Sequence, residues 1–170
     1  MSILQVDDFY GLTAISLNVY TEEDLQSFID DNEPIYLNQL LGKELADLLL
    51  NDLVNGEPQS ERFINIFDEF FLVNGCEQEI SEGILNLLRY LIYSDFIKND
   101  DSGHTISGTT YQENEVSGAP NVVTTARKAE SRKNRGVRTW EAIRWYINEN
   151  SEVYPEYAGV KKTVSFLGLI

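Results

Sequence analysis

The sequence predicts a mainly α fold: a small bundle of about five helices with an extended N-terminal arm, a long loop or β-hairpin insert at about residues 100–121, and an extended C-terminal tail. Three observations point there. Apolar residues recur at helical spacing through 21–99 and again through 122–149. Between these blocks, "DDSGHTISGTTYQENEVSGAPN" (100–121) has no helical period and little to bury, which is unusual inside a compact domain. At 170 residues the chain has the size of one domain, able to bury roughly 70% of its unfolded surface around a single core, so 1–170 reads as one helical unit.

Residues 2–20, "SILQVDDFYGLTAISLNVY", mix β-branched and aromatic side chains without a sustained period and read as the arm. Thr21 is placed to cap a first helix, with Glu22, Glu23 and Asp24 in its first turn, where the helix dipole favours anions. Pro34 should interrupt that helix, and "PIYLNQLLG" restart a short one that Gly42 stops. "KELADLLLNDL" follows and ends at Asn55-Gly56, with Leu45, Leu48, Leu49 and Val54 roughly on one face. "QSERFINIFDEFFLV" (59–73) reads as a longer helix that gathers Phe63, Ile66, Phe67, Phe70 and Phe71. "ISEGILNLLRYLIYSDFIK" (80–98) is apolar on most sides, at Ile84, Leu85, Leu87, Leu88, Leu91, Ile92 and Phe96, and belongs in the middle of the bundle.

Within the insert, "HTISGTTYQ" has the Thr, Ile and Tyr content to pair as strands once a partner orders it, which makes His104, Ile106 and Tyr111 candidate assembly-loop residues. The last helix runs from Val122 to Asn148. At 100° per residue Val122, Ala126, Ala129, Val137, Trp140, Ile143 and Ile147 share a seam; Arg127, Lys128, Arg132, Arg135 and Arg138 share the opposite arc, and Lys133 and Arg144 fall near the seam. In the tail, Val160, Val164, Phe166 and Ile170 alternate as in a strand, and Leu167 and Leu169 complete an apolar terminus. That terminus has two destinations: its own bundle, or another chain, for instance by strand addition at an exposed edge.

Charge divides the chain. Residues 1–120 hold 4 Lys/Arg against 23 Asp/Glu, and residues 121–170 hold 9 against 5, so a net charge of −19 faces one of +4. Such asymmetry argues for partners of opposite charge and against phosphate contacts by the first 120 residues. The basic arc around "ARKAESRKNRGVR" fits contact with an acidic protein surface first, with nucleic acid or plain solvation as the other readings. Catalytic chemistry has little to build on. His104 is the only histidine and lies in a Ser/Thr/Gly loop, and Cys76, the only cysteine, lacks the basic neighbours that activate a thiol. The acid pairs Asp7-Asp8, Asp30-Asp31 and Asp100-Asp101 are adjacent in sequence rather than held across a pocket. Neither an apolar run near 18 residues nor a signal-peptide pattern occurs, so no membrane partner is expected.

The cadence "FIDDNEPIYLNQLLGKELADLL", two hydrophobic helices, a Gly/Ser/Thr-rich insert ending in "TYQENE", and the basic helix of "ARKAESRKNRGVRTWEAIRWYINENSEVYPEY" together resemble the head–tail connector (adaptor) proteins of tailed bacteriophages, in the form found among phages and prophages of Bacteroidetes. The resemblance spans about residues 21–157. It implies a structural virion protein without catalytic residues or cofactors, assembled in the host bacterial cytoplasm and located at the neck of the particle. Proteins of this kind form rings, commonly dodecameric, beneath the portal, extend the DNA channel and give the tail an attachment site. The implied partners are other copies of the chain, the portal protein, a tail or second neck-ring protein, and DNA passing through without sequence-specific binding. A stopper or tail terminator is the neighbouring alternative, and a nucleic-acid-binding regulator using 127–138 a more distant one. On this reading the acidic part faces the DNA channel, the basic face Arg127, Lys128, Arg132, Arg135 and Arg138 meets the next subunit, and the tail residues Val160, Val164, Phe166, Leu167, Leu169 and Ile170 dock on the portal or a neighbour.

Overall fold

The computed structural model describes residues 2–15, 19–74, 77–100, 104–105, 108–109 and 122–157. Among these the fold is mainly α, as expected, with five α-helices: α1 (Val19–Leu41), α2 (Lys43–Asp52), α3 (Glu61–Phe67), α4 (Gly83–Asp100) and α5 (Val122–Glu149). Three short antiparallel pairs join them: β1 (Leu53–Val54) with β2 (Glu57–Pro58), β3 (Phe70–Asn74) with β4 (Glu77–Ser81), and β5 (His104–Thr105) with β6 (Gly108–Thr109). The central helix is α4, which packs most extensively on α5 and also on α1 and α3. Leu87, Leu88, Leu91, Ile92 and Phe96 are all buried there, as the helix's apolar circumference requires.

Pro34 does not divide α1. The helix starts at Val19, so Thr21 is inside it rather than capping it, and it continues through Pro34 to Leu41. A proline removes one backbone hydrogen bond and costs about 3 kcal/mol in a helix interior. Against that, Leu25 and Ile29 before it and Leu37, Leu40 and Leu41 after it are all buried, each contributing about 1.5–3 kcal/mol, and only an unbroken helix keeps them on one face. Pro34 itself is exposed, so its ring meets no core neighbour.

Two predicted helices end early because strands take their last residues. Helix α2 stops at Asp52, and Leu53 and Val54 pair with Pro58 and Glu57 across Asn55 and Gly56, whose φ values of +55° and +85° are those a two-residue primed hairpin turn needs. Val54 therefore stands exposed rather than on the apolar face of α2. Helix α3 stops at Phe67, and Phe70 to Asn74 form β3, in register with β4 from Phe70↔Ser81 to Asn74↔Glu77. The run Phe70-Phe71-Leu72-Val73 favours strand once β4 lies beside it to pair with. Alternation then separates neighbours: Leu72 is buried, while Phe71 is 62% exposed instead of joining the core. On α5, Ala129, Trp140, Ile143 and Ile147 are buried as the seam predicts, Val137 is half-buried, and Ala126 is exposed instead of buried.

Candidate assembly surfaces

The N-terminal arm is not free; it is strapped across the bundle by side chains of three helices. The Glu33 carboxylate, only 2% exposed on the buried face of α1, accepts hydrogen bonds from the Ile3 N–H (2.8 Å), the Leu4 N–H (2.8 Å) and the Ser2 hydroxyl (2.9 Å). Burial raises its pKa above the ordinary 4.5, the two backbone donors and Ser2 pull it back, and the nearby Asp30 charge adds to the rise. Further along, the Arg89 guanidinium of α4 donates to the Asp8 carbonyl at 2.9 Å and stacks over the Tyr10 ring at 4.5 Å. Arg132 of α5 donates from Nε to the Leu12 carbonyl at 2.9 Å. Ile3, Leu4 and Phe9 are buried under this strap.

The predicted basic face of α5 is thereby divided. Arg132 is engaged with the arm, and Arg135 pairs through Nε with Glu82 Oε1 at the end of β4 while lying 5.6 Å from the Tyr90 ring. Glu82 also accepts a hydrogen bond from the Tyr90 hydroxyl at 2.6 Å; burial first, and then that carboxylate, push the Tyr90 pKa up to about 12. Arg127, Lys128 and Arg138 are exposed, and no ion pair reaches them among the described residues. Lys133, flagged near the seam, is indeed buried against α4, whereas Arg144 is exposed.

Outward-facing acids cover another surface. Glu22, Glu23, Asp24, Asp30 and Asp31 of α1 are exposed, as are Glu44 and Asp47 of α2, and among the described residues only Asp47 of these has an ion pair, with Lys43. Ile35 of α1 is exposed on the same helix as the first five of these acids, and elsewhere Phe71 and its cross-strand neighbour Ile80 stand exposed on the β3–β4 hairpin, which packs against α5. Of the candidate insert residues, His104 opens β5 opposite Thr109, while Ile106 and Tyr111 lie outside the described residues. So do Cys76 and the tail residues Val160, Val164, Phe166, Leu167, Leu169 and Ile170.

A family model described as "Family of unknown function (DUF6712)" matches residues 18–166. The chain belongs to that family. No curated protein and no solved structure matches this DUF6712 chain. The matched region of the DUF6712 protein takes in all five helices and begins beyond the strapped arm, whose residues 2–13 precede it. Sequence reading missed Glu33, Glu82 and Asp95, the carboxylates that tie elements together. For Glu33 the signal was present, since Leu25, Ile29, Glu33, Leu37 and Leu41 recur every four residues, but it was hidden by the expected break at Pro34.

Proposed function

We propose that the protein is a non-enzymatic structural component of a phage neck, a connector subunit that assembles into a ring beneath the portal, extends the DNA channel and offers the tail its attachment site. The observation that carries this reading is charge of opposite sign, without an ion pair among the described residues, on two separate elements: exposed Glu22, Glu23, Asp24, Asp30 and Asp31 on α1, and exposed Arg127, Lys128 and Arg138 on α5. A head-to-tail ring requires two different, complementary surfaces on each copy, whereas a two-fold dimer uses one surface twice. Acidic surface left over inside the ring repels passing DNA and keeps it from sticking. Engagement of Arg132 and Arg135 within the chain favours this reading over a nucleic-acid regulator, because it removes two of the five cations such a protein would offer to phosphate.

Solution mass by light scattering tests the proposal, first on the protein alone over a range of concentrations and then with the matching portal protein. The expected result is a ring, or a monomer that becomes one on the portal. A monomer that ignores the portal and binds DNA with steep salt dependence overturns it in favour of the regulator. Arg127→Glu with Lys128→Glu should abolish the ring, and Asp24→Lys with Asp31→Lys in the mixed partner should restore it if those two faces meet.

A further inference from the structure

A groove of about 570 Å³ opens between the arm, the β1–β2 hairpin, α3 and α4. Ile64, Phe67 and Leu85, with Ile3 and Pro58, supply its apolar lining, Asp8, Glu57 and Asp68 supply acid, and no Lys or Arg among the described residues lines it. Ile64 is 39% exposed, so part of the groove's apolar lining faces water, while Phe67 beside it is buried.

One segment of this chain has the matching chemistry. Residues 158–170 carry Lys161 and Lys162, no acid, and the apolar Val160, Val164, Phe166, Leu167, Leu169 and Ile170. The chain enters that segment beside α3: the Tyr154 hydroxyl donates to the Arg62 carbonyl, and Arg62 pairs with Glu156 at 3.2 Å. Arg62 and Ile64 are two residues apart on α3, about 200° around the helix, so the tail begins on the side of α3 that faces away from the groove. Thirteen residues reach roughly 43 Å when extended, ample to leave one copy and enter the next. Knob and recess on opposite sides of one subunit are what a heterologous contact needs.

We propose that the groove receives the tail, residues 158–170, of a second copy of the chain, with its apolar side chains over Ile64, Phe67 and Leu85 and its two lysines against Asp8, Glu57 and Asp68. The inference rests on the ring reading and names one contact that would close the ring. A labelled peptide of residues 158–170 is titrated by fluorescence anisotropy into a chain ending at Tyr157, whose helical circular dichroism is checked first, and the mass of the full chain is measured in parallel. Expected are saturable binding of one peptide per chain, about tenfold weaker binding after Glu57→Lys with Asp68→Lys, loss with a Phe166→Asp peptide, and rings from the full chain. Absence of peptide binding, or binding indifferent to the groove substitutions, overturns the inference, while a ring still formed on the portal leaves the ring reading standing. Peptide binding together with a full chain that stays monomeric on the portal places the tail in its own groove and overturns it too. If the shortened chain does not fold, Phe166→Asp in the full chain gives the same reading: loss of ring mass supports the contact, and retention overturns it.

Discussion

Lys133 Nζ lies 3.7 Å from Asp95 Oδ1, within the contact between α5 and α4. The Tyr36 hydroxyl of α1 donates to the other oxygen of the same carboxylate, so Asp95 joins three helices. Burial lowers the Lys133 pKa and the Asp95 charge opposes that fall without cancelling it. Asp95→Ala leaves a buried ammonium and a phenol without their acceptor, and should destabilise by about 3 kcal/mol. Lys133→Met keeps the volume and leaves Asp95 to Tyr36, and should fall within about 1 kcal/mol of the parent. Urea midpoints for the two variants check the ordering; a greater loss from Lys133→Met would reverse the account.

Glu33 sets a pH dependence with a definite sign. Its folded pKa is raised above 4.5, with burial the first cause, so between those two values the folded state holds more protons than the unfolded. Its contribution is full below about 4.5 and is lost as pH rises through the folded pKa. The facing groups are the Ile3 and Leu4 N–H donors, Ser2 and the like-charged Asp30, and among the described residues no cation holds the carboxylate ionised. Glu33→Gln should flatten the fall in stability with rising pH above 4.5, read by thermal melting at closely spaced pH values; an unchanged slope would remove Glu33 as its source.

Much of this arrangement could be read in advance wherever period and burial agreed. The apolar circumference of 80–98 put α4 at the centre, and the seam of 122–148 put Ala129, Trp140, Ile143 and Ile147 inward. Reading failed where a local signal met a tertiary one. Pro34 signals a break, but buried Leu37, Leu40 and Leu41 keep α1 whole. Phe70 to Val73 extend the helical pattern of α3, yet pair with β4, because the choice depends on a strand several residues further on. The basic arc was visible as charge, but its division between arm, Glu82 and solvent was not, since Leu12 and Glu82 are 120 and 53 residues away from the arginines they meet.

Asp52 fixes the entrance to α3. Its Oδ2 accepts the Gln59 and Ser60 N–H groups, each at 2.8 Å, and the Ser60 hydroxyl donates to Oδ1. Burial nudges its pKa upward, but the Ser60 hydroxyl, the two N–H donors and the Arg62 charge outweigh it and hold the carboxyl below 3.8. Asp52→Ala should cost about 1–2 kcal/mol at neutral pH, the scale of a lost helix cap. Because the folded pKa is depressed, this contribution is present above 3.8 and disappears as pH falls through the folded value, opposite in slope to Glu33. Denaturant curves of parent and variant should therefore converge toward low pH, and a constant gap would mean that the charge of Asp52 is irrelevant.

Gly83 and Gly56 separate two reasons for a glycine. Both have positive φ, +80° and +85°. Around Gly56 a Cβ would meet nothing within 4 Å, so Gly56→Ala bears only the backbone strain, about 1–2 kcal/mol. At Gly83 a Cβ would be driven into the Phe67 carbonyl oxygen and stand 2.7 Å from the Asp68 carbonyl carbon. Those are backbone atoms at the end of α3, which cannot swing aside as a flexible side chain would. Gly83 also donates its N–H to the Ser81 hydroxyl at 3.2 Å, fixing the step from β4 into α4. Gly83→Ala must push α3 away from the start of the central helix, and should cost more than about 3 kcal/mol or prevent folding. Thermal melts of the two alanine variants side by side check this: equal losses would mean that φ alone matters and that the close approach of α3 to Gly83 is not required.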